Sequence, residues 1–137
     1  MAIIATDEGI AGLLRRVHTI AIVGLSDKQH RDSHRVGLYL QGCGYTIIPV
    51  NPKLSVVLGE PSFPDIEGIG YPVDLVDVFR RPEFMPGIVD AAIRAGARSL
   101  WMQPDTVHEG AVATAAAAGL DVVIDGCIMV EHRRLLS

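Results

Sequence analysis

Cysteine is nearly absent from this 137-residue chain, and its two copies, Cys43 and Cys127, lie far apart, with no CxxC pair and no His/Cys spacing suited to zinc. Neither a structural disulfide nor a metal site is therefore expected. Aromatic residues make up only 5% of the chain, which leaves Val, Ile, Leu and Ala to fill the core and favours helices packed on a parallel sheet. Basic residues number 12 against 16 acidic ones, a formal charge of -4, which argues against a dedicated nucleic-acid binder, since that needs a basic surface, and leaves room for a local basic site. No apolar run approaches the roughly 18 residues of a membrane span. The start, Met1 to Glu8, lacks the basic and apolar blocks of a secretion signal, and the cytoplasm is the expected compartment. Glycine is not scarce, yet G-x-G-x-x-G is missing, because no glycine follows Gly24 until Gly37.

What is present is a run of alternating elements. A length of 137 residues suits one domain spanning residues 1–137. Thr6 or Asp7 can cap a first helix with Ile10, Leu13, Leu14 and Val17 on one face. Thr19 to Gly24 is a continuous apolar strand stopped by glycine. Asp32 or Ser33 offers a cap for a second helix carrying Val36 and Leu40, and Gly42 and Gly44 end it. Tyr45 to Val50 is a second strand, with Pro49 unable to donate to a ladder. Lys53 to Pro72 is rich in Gly and Pro and predicts a long connection with at most a short strand and one helical turn.

Val73 to Phe79 predicts a strand despite Asp74 and Asp77. Pro82 and Pro86 suit the entry to a helix that runs through Ile88, Val89, Ala92 and Ile93 to Gly96. Ser99 to Gln103 is the next strand, and Thr106-Val107-His108-Glu109 is a capping-box pattern for a helix ending at Gly119. Asp121 to Asp125 closes the strands, and Ile128 to Leu136 predicts a final helix with Ile128, Leu135 and Leu136 turned inward. Repeated right-handed crossovers between parallel strands make an α/β, Rossmann-like three-layer fold with a sheet of about five strands. A ligand belongs beyond the carboxyl ends of the strands, where Gly24 to Lys28, Val50 to Lys53, Phe79 to Arg81 and Gln103 to Asp105 should gather.

The chemistry of those ends favours an anion. A helix start offers unpaired amides and the positive end of its dipole. The second strand ends in Asn51-Pro52-Lys53, where NAD-binding domains usually carry a carboxylate for the ribose hydroxyls; Lys53 instead suits a phosphate. Arg80 and Arg81 follow the third long strand and offer a guanidinium fork, although adjacent residues of an extended chain cannot both point the same way. NADP or another phosphorylated nucleotide fits this pattern better than NAD, and a small NADP-dependent oxidoreductase is the alternative reading. Catalytic groups are not evident: His18, His30, His34, His108 and His132 suit surface or helix-end positions, Ser26 lacks a G-x-S-x-G elbow, and Asp125 with Glu131 and His132 matches no metal motif. Cys127 is either a small core residue or, at a helix start, a thiol of lowered pKa.

The segments IAIVGLSDKQHRDSHRV, GYTIIPVNPK, VDLVDVFRRPEFMPGIV, LWMQ and VVIDGCIMVEH resemble, in order and spacing, the small stand-alone CoA-binding proteins, whose domain is similar to the CoA-binding Rossmann domain of the succinyl-CoA synthetase alpha subunit. The likeness spans about nine-tenths of the chain, and its Asn51-Pro52-Lys53 and Val78-Phe79-Arg80-Arg81 blocks are its most specific parts. It implies coenzyme A as ligand. Gly24, Leu25, Ser26 and Lys28 would approach the CoA phosphates, with Arg35 reaching one from its helix. Pro52 and Lys53 would flank the adenosine diphosphate. Phe79 and Arg80 would border the nucleotide and the start of the pantetheine arm, near Gln103. After Gln103 this chain departs from the pattern with Pro104-Asp105. The synthetase's phosphorylated histidine belongs to another domain, so His132 does not inherit its role. The resemblance implies a carrier, sensor or partner subunit without catalysis of its own, served by a small-molecule ligand and open to a protein partner. A thiol-ended ligand near Cys127 would also allow a mixed disulfide.

Overall fold

The computed structural model describes residues 3–124 and 126–136. Its elements alternate: α1 (Asp7–Arg16), β1 (Thr19–Val23), α2 (Asp32–Gly42), β2 (Thr46–Val50), a short hairpin of β3 (Val56–Val57) and β4 (Glu60–Pro61), β5 (Leu75–Val78), α3 (Met85–Arg94), β6 (Ser99–Met102), α4 (Glu109–Ala117), β7 (Asp121–Val123) and α5 (Ile128–Leu136). The five long strands form one parallel sheet in the order β2-β1-β5-β6-β7. This is the expected Rossmann-like α/β architecture.

Strand alternation divides the apolar residues between two faces. Ala21, Val23, Val76, Val78 and Leu100 pack with Met85, Val89 and Ala92 of α3 and Ala111 and Ala115 of α4. Ile20, Ile22, Leu75 and Trp101 pack with Ile10, Leu13 and Leu14 of α1, Val36 and Leu40 of α2, and Ile128 of α5. Three layers result, and every residue of β5 is buried, which explains why that strand has no polar alternation. Asp77 is the exception in composition: it is fully buried, neither carboxyl oxygen has a hydrogen-bond partner among the described residues, and it sits in register beside Ile22 and Trp101.

Pro49 is tolerated because β2 lies at the sheet margin. There Phe63 N–H donates to the Pro49 carbonyl (3.0 Å) and Asn51 N–H donates to the Phe63 carbonyl (2.9 Å), so the connection folds back along the outer side of β2. At the other margin Ile3 bridges Val122, and Ile4 N–H donates to the Val122 carbonyl (2.8 Å).

Several local expectations need correction. The Lys53–Pro72 connection holds a two-strand hairpin and a turn of 3-10 helix (Glu67–Ile69) rather than at most one short strand. Neither Asp32 nor Ser33 caps α2; its N-cap is Arg31, with no side-chain hydrogen bond. Thr106 does not cap α4: its hydroxyl donates to the Gln103 carbonyl (2.7 Å), and His108 caps the helix through Nδ1, which accepts from Ala111 N–H (3.1 Å). β7 ends at Val123, and Asp125, its expected last residue, lies outside the described residues. His132 is only 9% exposed rather than at the surface, while Leu135 and Leu136, half-buried, pack inward against the core that holds Ile128, as expected. The Thr6 cap of α1 stands, its hydroxyl accepting from Gly9 N–H (3.0 Å). Among the described residues no helix is long and apolar enough to cross a membrane.

Candidate functional site

The chain passes from β1 outward to β2 and then returns across β1 to β5, so the connections leaving β1 and β5 diverge in opposite directions. Such a divergence opens a crevice at the carboxyl end of the sheet. An open cleft of about 710 Å³ lies there, lined by residues of the β1–α2 loop together with Asn51, Lys53, Leu54 and Phe79.

Gly24 sets the geometry. Its N–H donates to the Val50 carbonyl (2.9 Å) and its φ is +87°, while a Cβ at this position would stand 2.8 Å from the Phe79 carbonyl oxygen. A side chain is thus refused on both conformational and steric grounds. Beyond it the loop is tied down by its own serines: Ser26 N–H donates to Ser33 Oγ (3.0 Å) and Lys28 N–H to Ser26 Oγ (3.0 Å). Two amides expected to face a ligand are therefore occupied in holding the loop. Further donors stand at the start of α2, where Asp32 and Ser33 N–H have no acceptor among the described residues and no side chain caps the helix. That end carries positive partial charge.

Asn51 explains why the ribose carboxylate is missing. Its Nδ2 donates to the Leu25 carbonyl (3.1 Å) and its Oδ1 accepts from Lys53 N–H (2.9 Å), joining the β1–α2 loop to the end of β2. A carboxylate could accept from Lys53 but could not donate to Leu25.

Lys28, Arg31 and Lys53 are exposed around the cleft, and none enters an ion pair among the described residues. The carboxylates there are Asp27 and Asp32, and Asp32 is paired with the Arg35 guanidinium, which also donates to the His30 carbonyl (2.8 Å). Arg35 thereby neutralises an acid at the rim.

Of the residues named from the sequence, Gly24, Ser26, Lys28, Lys53 and Phe79 line the cleft. Pro52 is exposed between Asn51 and Lys53. Arg80 runs alongside, its Cδ 3.1 Å from the position of a Gly24 Cβ and its guanidinium 4.3 Å from the Phe84 ring centre, whereas Arg81 turns away to Glu83 (3.8 Å). Leu25 has a fully buried side chain and touches the site only through its carbonyl. Gln103 is buried, and its Oε1 accepts from Ile128 N–H (3.1 Å), so it caps α5. Cys127 is half-buried just before α5, and its carbonyl accepts from Glu131 N–H (2.9 Å); it does not line the cleft. Sequence reasoning did not single out His30, Arg31, Asp32, Ser33 and Leu54 as lining residues, and it placed Asp27 and Asn51 at this end of the sheet without giving either a role. The Asn51-Pro52-Lys53 block was the available signal for Asn51, since an Asx turn places its amide at the strand end.

Residues 18–133 match the family described as "CoA binding domain". The chain is also 40% identical over 123 residues to uncharacterized protein YneT of Bacillus subtilis (strain 168), covering 90% of this chain and 91% of that one. Its fold superposes on a hypothetical protein from Pyrococcus horikoshii OT3 with a TM-score of 0.94 at 41% identity, over 97% and 94% of the two chains. A protein described as cell-free ID.343 from Thermus thermophilus gives a TM-score of 0.91 at 31% identity, over 96% of this chain and 100% of that one.

Proposed function

Since this chain belongs to the CoA binding domain family, we propose that its cleft receives coenzyme A or an acyl-CoA by the phosphates of the nucleotide. The supporting observation is the convergence of Lys28, Arg31 and Lys53, all without ion-pair partners among the described residues, on the uncapped start of α2. A pyrophosphate placed there meets the Asp32 and Ser33 amides, and a cleft of about 710 Å³ falls within the ordinary range of small-molecule sites, about 300–1,000 Å³. Pro52 and Lys53 flank the adenosine end, and Phe79 with the Arg80 stem borders the way out toward the pantetheine arm. Arg35 acts at one remove, by holding the Asp32 carboxylate away from the phosphates. Leu25 and Gln103 support the site through the backbone and through α5. Ser26 Oγ is engaged by Lys28 N–H, and this arrangement favours holding the ligand over transforming it. We read the protein as a carrier, sensor or partner subunit, its one domain spanning residues 1–137.

Isothermal titration tests the reading. CoA should bind, with affinity falling as salt rises, and NADPH should bind more weakly. Lys53→Ala should weaken CoA about tenfold, the loss of one charge-assisted contact at an exposed rim. The absence of any CoA response at millimolar ligand would reject the proposal, and tighter binding of NADPH would replace it with the oxidoreductase reading.

Asn51→Asp is a sharper test because it changes little volume. It removes the donor to the Leu25 carbonyl and brings a negative charge to the rim, so CoA affinity should fall by at least about tenfold, with only a modest drop in melting temperature. Wild-type affinity in this variant would show that the phosphates lie elsewhere.

A further inference from the structure

His18 precedes β1 and Tyr45 precedes β2, whereas Gly24 and Asn51 follow those strands. A second hollow, of about 620 Å³, is therefore at the opposite end of the sheet from the CoA cleft, walled by Arg15, His18, Tyr39, Cys43, Tyr45 and His132 among others. We propose that Cys43 is a modification site, where this hollow receives an anionic low-molecular-weight disulfide and one half of it is transferred to the thiol.

Cys43 is free and exposed. Behind it stands the imidazole of His132, only 9% exposed, with Nδ1 2.8 Å from the Tyr39 hydroxyl and 4.0 Å from Cys43 Sγ. The hydroxyl interacts with the thiol as well. Two tyrosine rings meet the imidazole edge-on, Tyr39 at 5.4 Å and Tyr45 at 5.7 Å between centres, and the Tyr45 hydroxyl is anchored on the Leu14 carbonyl. The imidazole is thus held in one orientation. Burial lowers its pKa, so it is unprotonated and ready to accept at neutral pH. Burial, reinforced by the neighbouring thiol, raises that of Tyr39, so its hydroxyl keeps a proton to relay.

This relay is needed because the thiolate, not the thiol, attacks a disulfide, so the thiol proton has to leave as the new bond forms. As Sγ attacks one sulfur of the disulfide, the thiol proton passes to Tyr39 Oη while the proton of Tyr39 passes to His132 Nδ1. The S–S bond of the reagent breaks and its second half leaves as a thiolate, which recovers the proton from the imidazolium through the same hydroxyl. One thiol and one disulfide are consumed, and one mixed disulfide and one small thiol are formed. Arg15 at the wall selects an anionic reagent.

The test is timed exposure of the full chain to oxidised glutathione, followed by intact-mass measurement and peptide mapping. One glutathionyl group should appear on Cys43, in wild type and in Cys127→Ser alike, and none in Cys43→Ser. Tyr39→Phe keeps both rings on the imidazole but removes the relay, and should slow addition at least roughly tenfold. Cystamine, a cationic disulfide, should react more slowly than oxidised glutathione. Addition confined to Cys127, an unchanged rate in Tyr39→Phe, or cystamine reacting as fast as oxidised glutathione would each overturn the proposal. None of these readouts depends on CoA occupying the other end of the sheet.

Discussion

Replacing Asp77 by valine is expected to stabilise the protein, by roughly 1–3 kcal/mol at neutral pH. The carboxyl lies fully buried on β5 between Ile22 and Trp101, with no donor for either oxygen among the described residues. Burial alone pushes its pKa well above the ordinary aspartate value, so the folded state holds a proton that the unfolded chain releases. In that situation stability is greatest below the unfolded pKa of about 3.9 and declines as pH rises toward the folded value. The slope approaches about 1.4 kcal/mol per pH unit wherever the folded chain keeps the proton and the unfolded one has lost it. Urea denaturation at several pH values between 4 and 9 should therefore show a wild-type midpoint that declines with pH more steeply than that of Asp77→Val. Asp77→Asn, which keeps the shape and the unmet polarity but cannot ionise, should lose this part of the pH dependence while gaining less stability. Parallel wild-type and variant curves would mean that the carboxyl is paired in solution.

The second large effect is at Gly24. Gly24→Ala must adopt a positive φ of 87° and place its methyl 2.8 Å from the Phe79 carbonyl oxygen. The conformational cost is about 1–2 kcal/mol, and moving a backbone carbonyl in a packed setting adds a comparable amount. A total destabilisation of roughly 2–4 kcal/mol is expected. Because Phe79 N–H donates to the Val23 carbonyl (2.9 Å) and Gly24 N–H to that of Val50, the displacement spreads to all three strand ends around the cleft. CoA affinity should fall further than in Lys53→Ala, and adding ligand should restore little of the lost melting temperature. A variant that melts and binds like wild type would show that the β1–α2 and β5–α3 loops stand further apart in solution than the 2.8 Å approach at Gly24 requires.

The order and kind of the long elements were legible because each strand is a short apolar run closed by a turn residue, and parallel crossovers leave few ways to arrange such runs. The location of the cleft followed from the same topology, and Gly24, Lys28, Lys53 and Phe79 needed only that their strands be recognised. What escaped were side chains whose partners are remote or ambiguous in sequence. Ser33 has the residue type of a helix cap but accepts from Ser26 across a loop. Asn51 reaches Leu25, 26 positions back, and Gln103 reaches forward 25 to Ile128. His108 displaced Thr106 as a cap because the threonine hydroxyl found a nearer carbonyl on Gln103. Propensity rules see neighbours along the chain: they miss the Asn51 and Gln103 ties, which are remote, and they do not rank the competing local ties of Thr106 and His108.

The two flanks of the sheet are both closed to further growth. Along β2, a proline and the returning segment at Phe63 occupy the outward-facing backbone; along β7, the strand-like start at Ile3 and Ile4 does the same. A second molecule therefore finds little free main chain on which to extend the ladder, and fibril-like stacking is discouraged even at high cellular abundance. Association between copies would have to proceed through helices and loops, leaving the five strands a finite unit.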